Sequence, residues 1–204
     1  MKLLDKLLII SGLIGPLVFL LVLIFLGSIY PGYNHITQHI SELGADASPV
    51  ALEMNIFGFI FLGTFVSLFS IGLYRTLGKT SQGKIGAILV LIAGLSLMSI
   101  AFFPCDIRCE NISIKGIFHD ILSTISILSF IVASFLLADL FRKNRKICYL
   151  LILLSILTIA SSFFWFFDTT YPGLTQRITI SIPLLTMSIA SLYILRKSGK
   201  LIKK

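Results

Sequence analysis

The sequence predicts an all-α fold: a polytopic integral membrane bundle of six transmembrane helices, N-in and C-in, with a short interfacial helix between helices 1 and 2. Three observations predict it. Hydrophobic residues make up 56% of the 204-residue chain and charged residues 13%, with a mean hydropathy of +0.99, far above a water-soluble domain. Apolar runs approaching the ~20 residues that cross hydrocarbon as a helix recur along the whole chain. The cations between those runs alternate, dense in one connection and sparse in the next.

The first span is expected at Leu7–Ser28, behind Lys2 and Lys6. It is too long for a signal-peptide core and lacks a small-residue cleavage site, so it is expected to be retained. The others are expected at Val50–Tyr74, Ile85–Phe103, His119–Phe141, Ile147–Phe167 and Ile178–Leu195. The longest polar connection is Tyr30–Pro49, which leaves no room for a soluble domain and predicts one six-helix transmembrane domain over 1–204.

Most of the 17 Lys and Arg residues fall at the termini, at Arg75, Lys79 and Lys84, and in "FRKNRK" from Phe141 to Lys146. Arg108, Lys115 and Arg177 fall in the alternate connections. The positive-inside rule then puts both termini in the cytoplasm and Tyr30–Pro49 outside, in a cell (plasma) membrane protein. The same rule explains the basic pI, so no nucleic-acid partner is expected; membrane lipids are the expected partners. The titratable groups sort oppositely: His35, His39, Glu42, Asp46, Glu53, Asp106, Glu110, His119, Asp120 and Asp168 belong at or near the outer rim.

Within "YPGYNHITQHISELG", capping preferences start a helix at Asn34 and end it at Gly44. His35, His39 and Glu42 would then share one face at i, i+4 and i+7. With His119 they make a candidate set for a divalent metal such as zinc; an amphipathic interfacial helix explains the same spacing. Ser48 and Pro49 should start the second span. Cys105 and Cys109 can close a small disulfide in the next outer loop, and Asn111-Ile-Ser113 is a glycosylation sequon. "YPGYNHITQHI" at Tyr30 rhymes with "YPGLTQRI" at Tyr171, which a Pro-Gly turn beside an interfacial tyrosine explains.

The span interiors carry no ionisable side chain, which disfavours an ion or proton transporter. Their polar content is Ser, Thr and Gly, read as helix packing.

The ordered set Ile40-Ser41-Glu42-Leu43-Gly44, Pro49, Asn55, Phe103-Pro104-Cys105-Asp106, His119 and Gly173-Leu-Thr-Gln-Arg177 resembles the six-helix membrane family known as domain of unknown function 998, across nearly the whole chain. The resemblance carries Ser41, Glu42, Gly44, Asn55, Asp106, His119 and Arg177 across as pattern positions, without an activity. His39 and Cys109 are not part of that pattern.

The leading expectation is an outward-facing polar site that binds or processes a lipid headgroup or other amphiphile. Glu42, Asp106 and His119 are the candidate catalytic residues; Arg177, Ser41 and Asn55 are candidates for holding an anionic group. One alternative is a non-enzymatic scaffold, in which Glu42 and Arg177 form a structural ion pair. Another is a metal-dependent hydrolase.

Overall fold

A computed structural model describes residues 1–110, 112–168 and 170–201, with side chains through Lys197. Asn111 of the sequon and the terminal Lys203 and Lys204 lie outside the described residues. Six helices are long and apolar enough to cross a membrane: α1 (Leu3–Ile29), α2 (Ala51–Leu77), α3 (Ser81–Ile100), α4 (Ile114–Leu140), α5 (Arg145–Phe167) and α6 (Pro172–Leu201). No strand occurs among the described residues.

Each helix packs on the next, and α6 packs back on α1, closing the bundle. α4 also touches α6 directly, which leaves α5 outermost, its apolar window only 22% buried against 50% for α2. Phe163, Phe164, Phe166 and Phe167 accordingly point outward. Such a surface suits hydrocarbon rather than water. Small residues set the closest approach: a Cβ on Gly63 would collide with the backbone of Gly94 and Met98, so α2 and α3 cross at nearly bare backbone.

Alternating helix direction gathers the connections 30–50, 101–113 and 168–171 at one end, called here the loop end. The termini and the basic connections gather at the other, where Asp5 pairs with Arg75 at 2.6 Å.

Several boundaries differ from the sequence-based expectation, each for a local reason. α4 begins five residues earlier because Ser113 caps it, its Oγ accepting from Gly116 N at 3.1 Å. His119 therefore lies inside the helix. α6 begins at Pro172, with Asp168 Oδ1 accepting from Thr170 N and Tyr171 N, so Arg177 is a helical residue and not a loop residue. α2 starts at Ala51, and its Met54–Ile60 stretch is wound as a π-helix that holds Asn55.

The interfacial helix is a 3₁₀ turn, Ile40–Gly44, and does not start at Asn34. Asn34 does cap, its Oδ1 accepting from Ile36 N and Thr37 N, but the turn it starts stops short of His39. His39 is extended, at φ −62° and ψ 149°, and Glu42 Oε1 accepts its N–H at 2.7 Å. Two competing caps thus break one expected helix in two, and His35, His39 and Glu42 do not share a helical face.

Candidate functional site

The loop end has two polar clusters. The first is built around Arg177, half-buried on α6. Its Nη1 donates to Gln38 O (3.0 Å) and Gly173 O (2.8 Å), and its Nη2 to Tyr33 Oη (2.6 Å) and His35 Nδ1 (3.1 Å). Tyr33 passes the contact on, donating to His39 O at 2.8 Å. All four acceptors are neutral protein groups, and among the described residues the ion pairs are Asp5–Arg75, Asp46–Lys115 and Asp139–Arg142. The Glu42–Arg177 ion pair that the scaffold alternative implied is not among them.

The rhyming Tyr-Pro-Gly segments meet in this cluster: Leu174 N donates to Ile36 O at 2.9 Å. Gly173 lies so close to Gln38 O and His35 O that a Cβ would strike both backbone oxygens. Burial, and then the Arg177 cation, holds the His35 imidazole below its ordinary pKa. Arg177 and His35 also border the loop end of a groove of about 520 Å³ between α1 and α6, otherwise largely apolar.

The second cluster centres on His119, 3% exposed. Its Nδ1 lies 2.9 Å from Phe103 O and its Nε2 2.9 Å from Ser41 Oγ. A carbonyl only accepts, so Nδ1 carries the proton and the neutral ring offers Nε2 as an acceptor. Ser41 then donates to Nε2 and accepts from Gln176 Nε2 at 3.3 Å. Gln176 is held in that orientation because its Oε1 answers Ile40 N at 2.5 Å. The relay Gln176–Ser41–His119–Phe103 joins α6, the 3₁₀ turn, α4 and the end of α3.

This relay borders a chamber of about 340 Å³ between α4, α5 and α6, lined also by His39, Asp120, Trp165 and Asp168. Below it a narrow apolar void of about 50 Å³ reaches between all six helices, and Ser41, Ser123, Trp165 and Gln176 border both spaces. His39 Nδ1 is buried without a hydrogen-bond partner. Burial pushes the His39 imidazole below its ordinary pKa, against the upward pull of Glu42.

The remaining candidates hold loops. Glu42 accepts from His39 N and from Gln38 Nε2 (3.2 Å). Asp106 Oδ2 accepts from Ser113 N (2.8 Å) and Ile112 N (2.9 Å), and its hydrogen bonds, those from Ser113 foremost, keep its carboxyl below the usual range. Asn55 Nδ2 donates to Gly44 O at 3.0 Å, tying the 3₁₀ turn to the π-turn of α2. Cys105 and Cys109 are disulfide-bonded, with Cα atoms 4.9 Å apart.

The proposed zinc set is not assembled. Among the described residues no three His, Cys, Asp or Glu side chains gather around a point that could hold a metal ion. His35 is turned to Arg177 and His119 to Ser41, which separates them. Sequence reasoning missed Gln176, Tyr33, Ser123 and Trp165 as members of the site. Two signals pointed to Gln176: its place in the Gly173-Leu-Thr-Gln-Arg177 motif of the family resemblance, from which only Arg177 was carried across, and the Thr-Gln pair of both rhyming segments, which was read as turn chemistry.

Six apolar helices closed into a bundle, with a polar chamber roofed by three connections at one end, define a polytopic integral membrane protein. The chain belongs to the family described as protein of unknown function (DUF998), whose model matches residues 13–193. No curated protein and no solved structure matches it.

Proposed function

We propose that the loop end faces outward from the cell membrane, both termini being cytoplasmic, and that its chamber binds the polar head of a membrane amphiphile. The orientation rests on the concentration of Lys and Arg at the opposite end. The observation that carries the binding reading is the adjacency of two unlike spaces: a polar chamber and an apolar void that share Ser41, Ser123, Trp165 and Gln176 as walls. A ligand with a polar head and an apolar tail meets both; a small hydrophilic solute meets only the first.

The test is native mass spectrometry of the full chain released from mild detergent, with extraction of whatever lipid stays bound. Wild type should retain a lipid, and Ser123→Phe, which fills the junction of the two spaces, should lose it while melting normally. A wild type that carries no lipid and takes none up from mixed phospholipid vesicles overturns the reading.

A scaffold reading has its own support. Glu42, Asn55, Asp106 and Arg177 each serve as loop fasteners, with backbone groups among the partners of all four. That reading predicts variants that melt early with no separate loss of a ligand.

A further inference from the structure

We propose that Ser41 and His119 are a nucleophile and its base, and that the chamber cleaves the carboxylic ester of a long-chain amphiphile by acyl transfer to Ser41. This inference rests on the amphiphile reading of the chamber and adds a reaction to it.

The geometry sets Ser41 apart from the other hydroxyls. Ser70, Ser134, Ser155, Thr158 and Thr186 give their protons to backbone carbonyls, as hydroxyls in apolar helices ordinarily do. Ser41 gives its proton to an imidazole nitrogen at 2.9 Å. The ring presents that nitrogen unprotonated because Phe103 O fixes the proton on Nδ1. This carbonyl is free to do so because α3 ends at Ile100 and the chain turns away. A hydroxyl, a base aligned to it and an acceptor that orients the base are the arrangement nucleophilic acyl transfer requires.

An oxyanion needs donors beside the nucleophile. Gln176 Nε2 already lies 3.3 Å from Ser41 Oγ, and its amide is locked by the bond from Ile40 N, so it is preorganised to answer charge that develops there. The His39 ring lines the same chamber with an unpaired Nδ1. Ser123 and Thr124 follow His119 by one helical turn and line the same space.

The atoms balance without an added cofactor. Ser41 Oγ bonds to the ester carbonyl carbon as its proton moves to His119 Nε2. The carbon–oxygen bond to the alcohol then breaks, and Nε2–H protonates the departing alkoxide, leaving an acyl-Ser41 ester. Water entering the chamber gives its proton to Nε2 and its oxygen to the acyl carbon. Breaking the Oγ–acyl bond, with the proton returned to Oγ, releases the acid. The sum is ester plus water to alcohol plus acid.

The experiment treats the full chain in detergent with a long-chain alkyl fluorophosphonate and reads intact mass and the modified peptide, with bound lipid measured in parallel. A Ser–O–P bond forms, fluoride leaves and His119 takes the proton. One adduct should appear, on Ser41, and vanish in Ser41→Ala. His119→Gln should slow labelling by about 100-fold or more, the share a general base contributes. Should His119→Gln fail to fold, the wild-type pH profile serves instead: labelling should rise through one ionisation, as the imidazole loses its proton. Lipid retained with no adduct on Ser41 between pH 6 and 9 overturns the acyl-transfer step and leaves the binding reading standing. Neither lipid nor adduct overturns both.

Discussion

The two polar clusters at the loop end differ in where their hydrogen-bonding capacity goes. Around Arg177 it goes to the protein: both terminal nitrogens are committed, to Tyr33, His35, Gln38 and Gly173. Around His119 the same kind of network runs along the wall of a chamber, and its hydroxyl and amide are within reach of whatever enters. Both clusters hold ionisable groups at the same end of the bundle. What separates a fastener from a candidate site is whether the committed groups border a polar chamber, and the second cluster sets Ser41 and His119, the proposed nucleophile and base, along one.

The contrast can be broken most forcefully at Arg177. Arg177→Ala removes the guanidinium that donates to Gln38 O, Gly173 O, Tyr33 Oη and His35 Nδ1 and should cost about 3 kcal/mol or more, given about 1.5–3 kcal/mol for a charged hydrogen bond. Arg177→Lys should recover little, since one ammonium cannot reproduce the planar fork. Thermal melting in one detergent checks both. A normal melt for Arg177→Ala would mean the cation is not a fastener.

A smaller effect should come from pH. His35 accepts from Arg177 through Nδ1 and its folded pKa is lowered, so between the folded value and the unfolded value near ~6.5 the unfolded chain holds more protons. Stability from this group is therefore full above the unfolded pKa and falls as pH drops below it. Melting temperature should decline from about pH 6.5 downward, and His35→Gln should flatten that slope. An unchanged slope in the variant would place the acid sensitivity elsewhere.

The smallest effect belongs to Lys115. It pairs with Asp46 at 3.3 Å with both side chains well exposed, so Lys115→Ala should shift stability by less than about 0.5 kcal/mol. A larger loss would show that the loop fasteners are coupled.

Much of the fold was legible because a bilayer leaves few choices. Hydrocarbon admits helices whose backbone bonds are internal, so hydropathy located all six spans, with ends displaced by up to six residues. Helix starts were less legible. The α4 and α6 starts depend on Ser113 and Asp168, polar residues that a hydropathy window reads as loop. The 3₁₀ turn was hidden for a different reason: Asn34 and His39–Glu42 compete to cap, and sequence cannot say which ends the other's helix.

For the candidate site, the gathering of its residues at one end of the bundle was legible and their contacts were not. Segregation of charge identified Glu42, Asp106, His119 and Arg177, but which partner each meets depends on contacts far apart in sequence. Ser41 and His119 stand 78 positions apart and Ser41 and Gln176 stand 135 apart. Gln176 carries no charge, so nothing in the charge pattern singled it out.

The central claim, that the chamber and the void below it hold one amphiphile, is open to a direct measurement through Trp165, the only tryptophan in the chain and a wall of both spaces. Fluorescence would be followed as a lipid with a brominated acyl chain is titrated into wild type and into Ser123→Phe. Quenching in wild type should saturate near one lipid per protein and disappear in the variant. Quenching that grows in proportion to brominated lipid in both proteins would mean that Trp165 meets only bulk lipid, and would contradict the account.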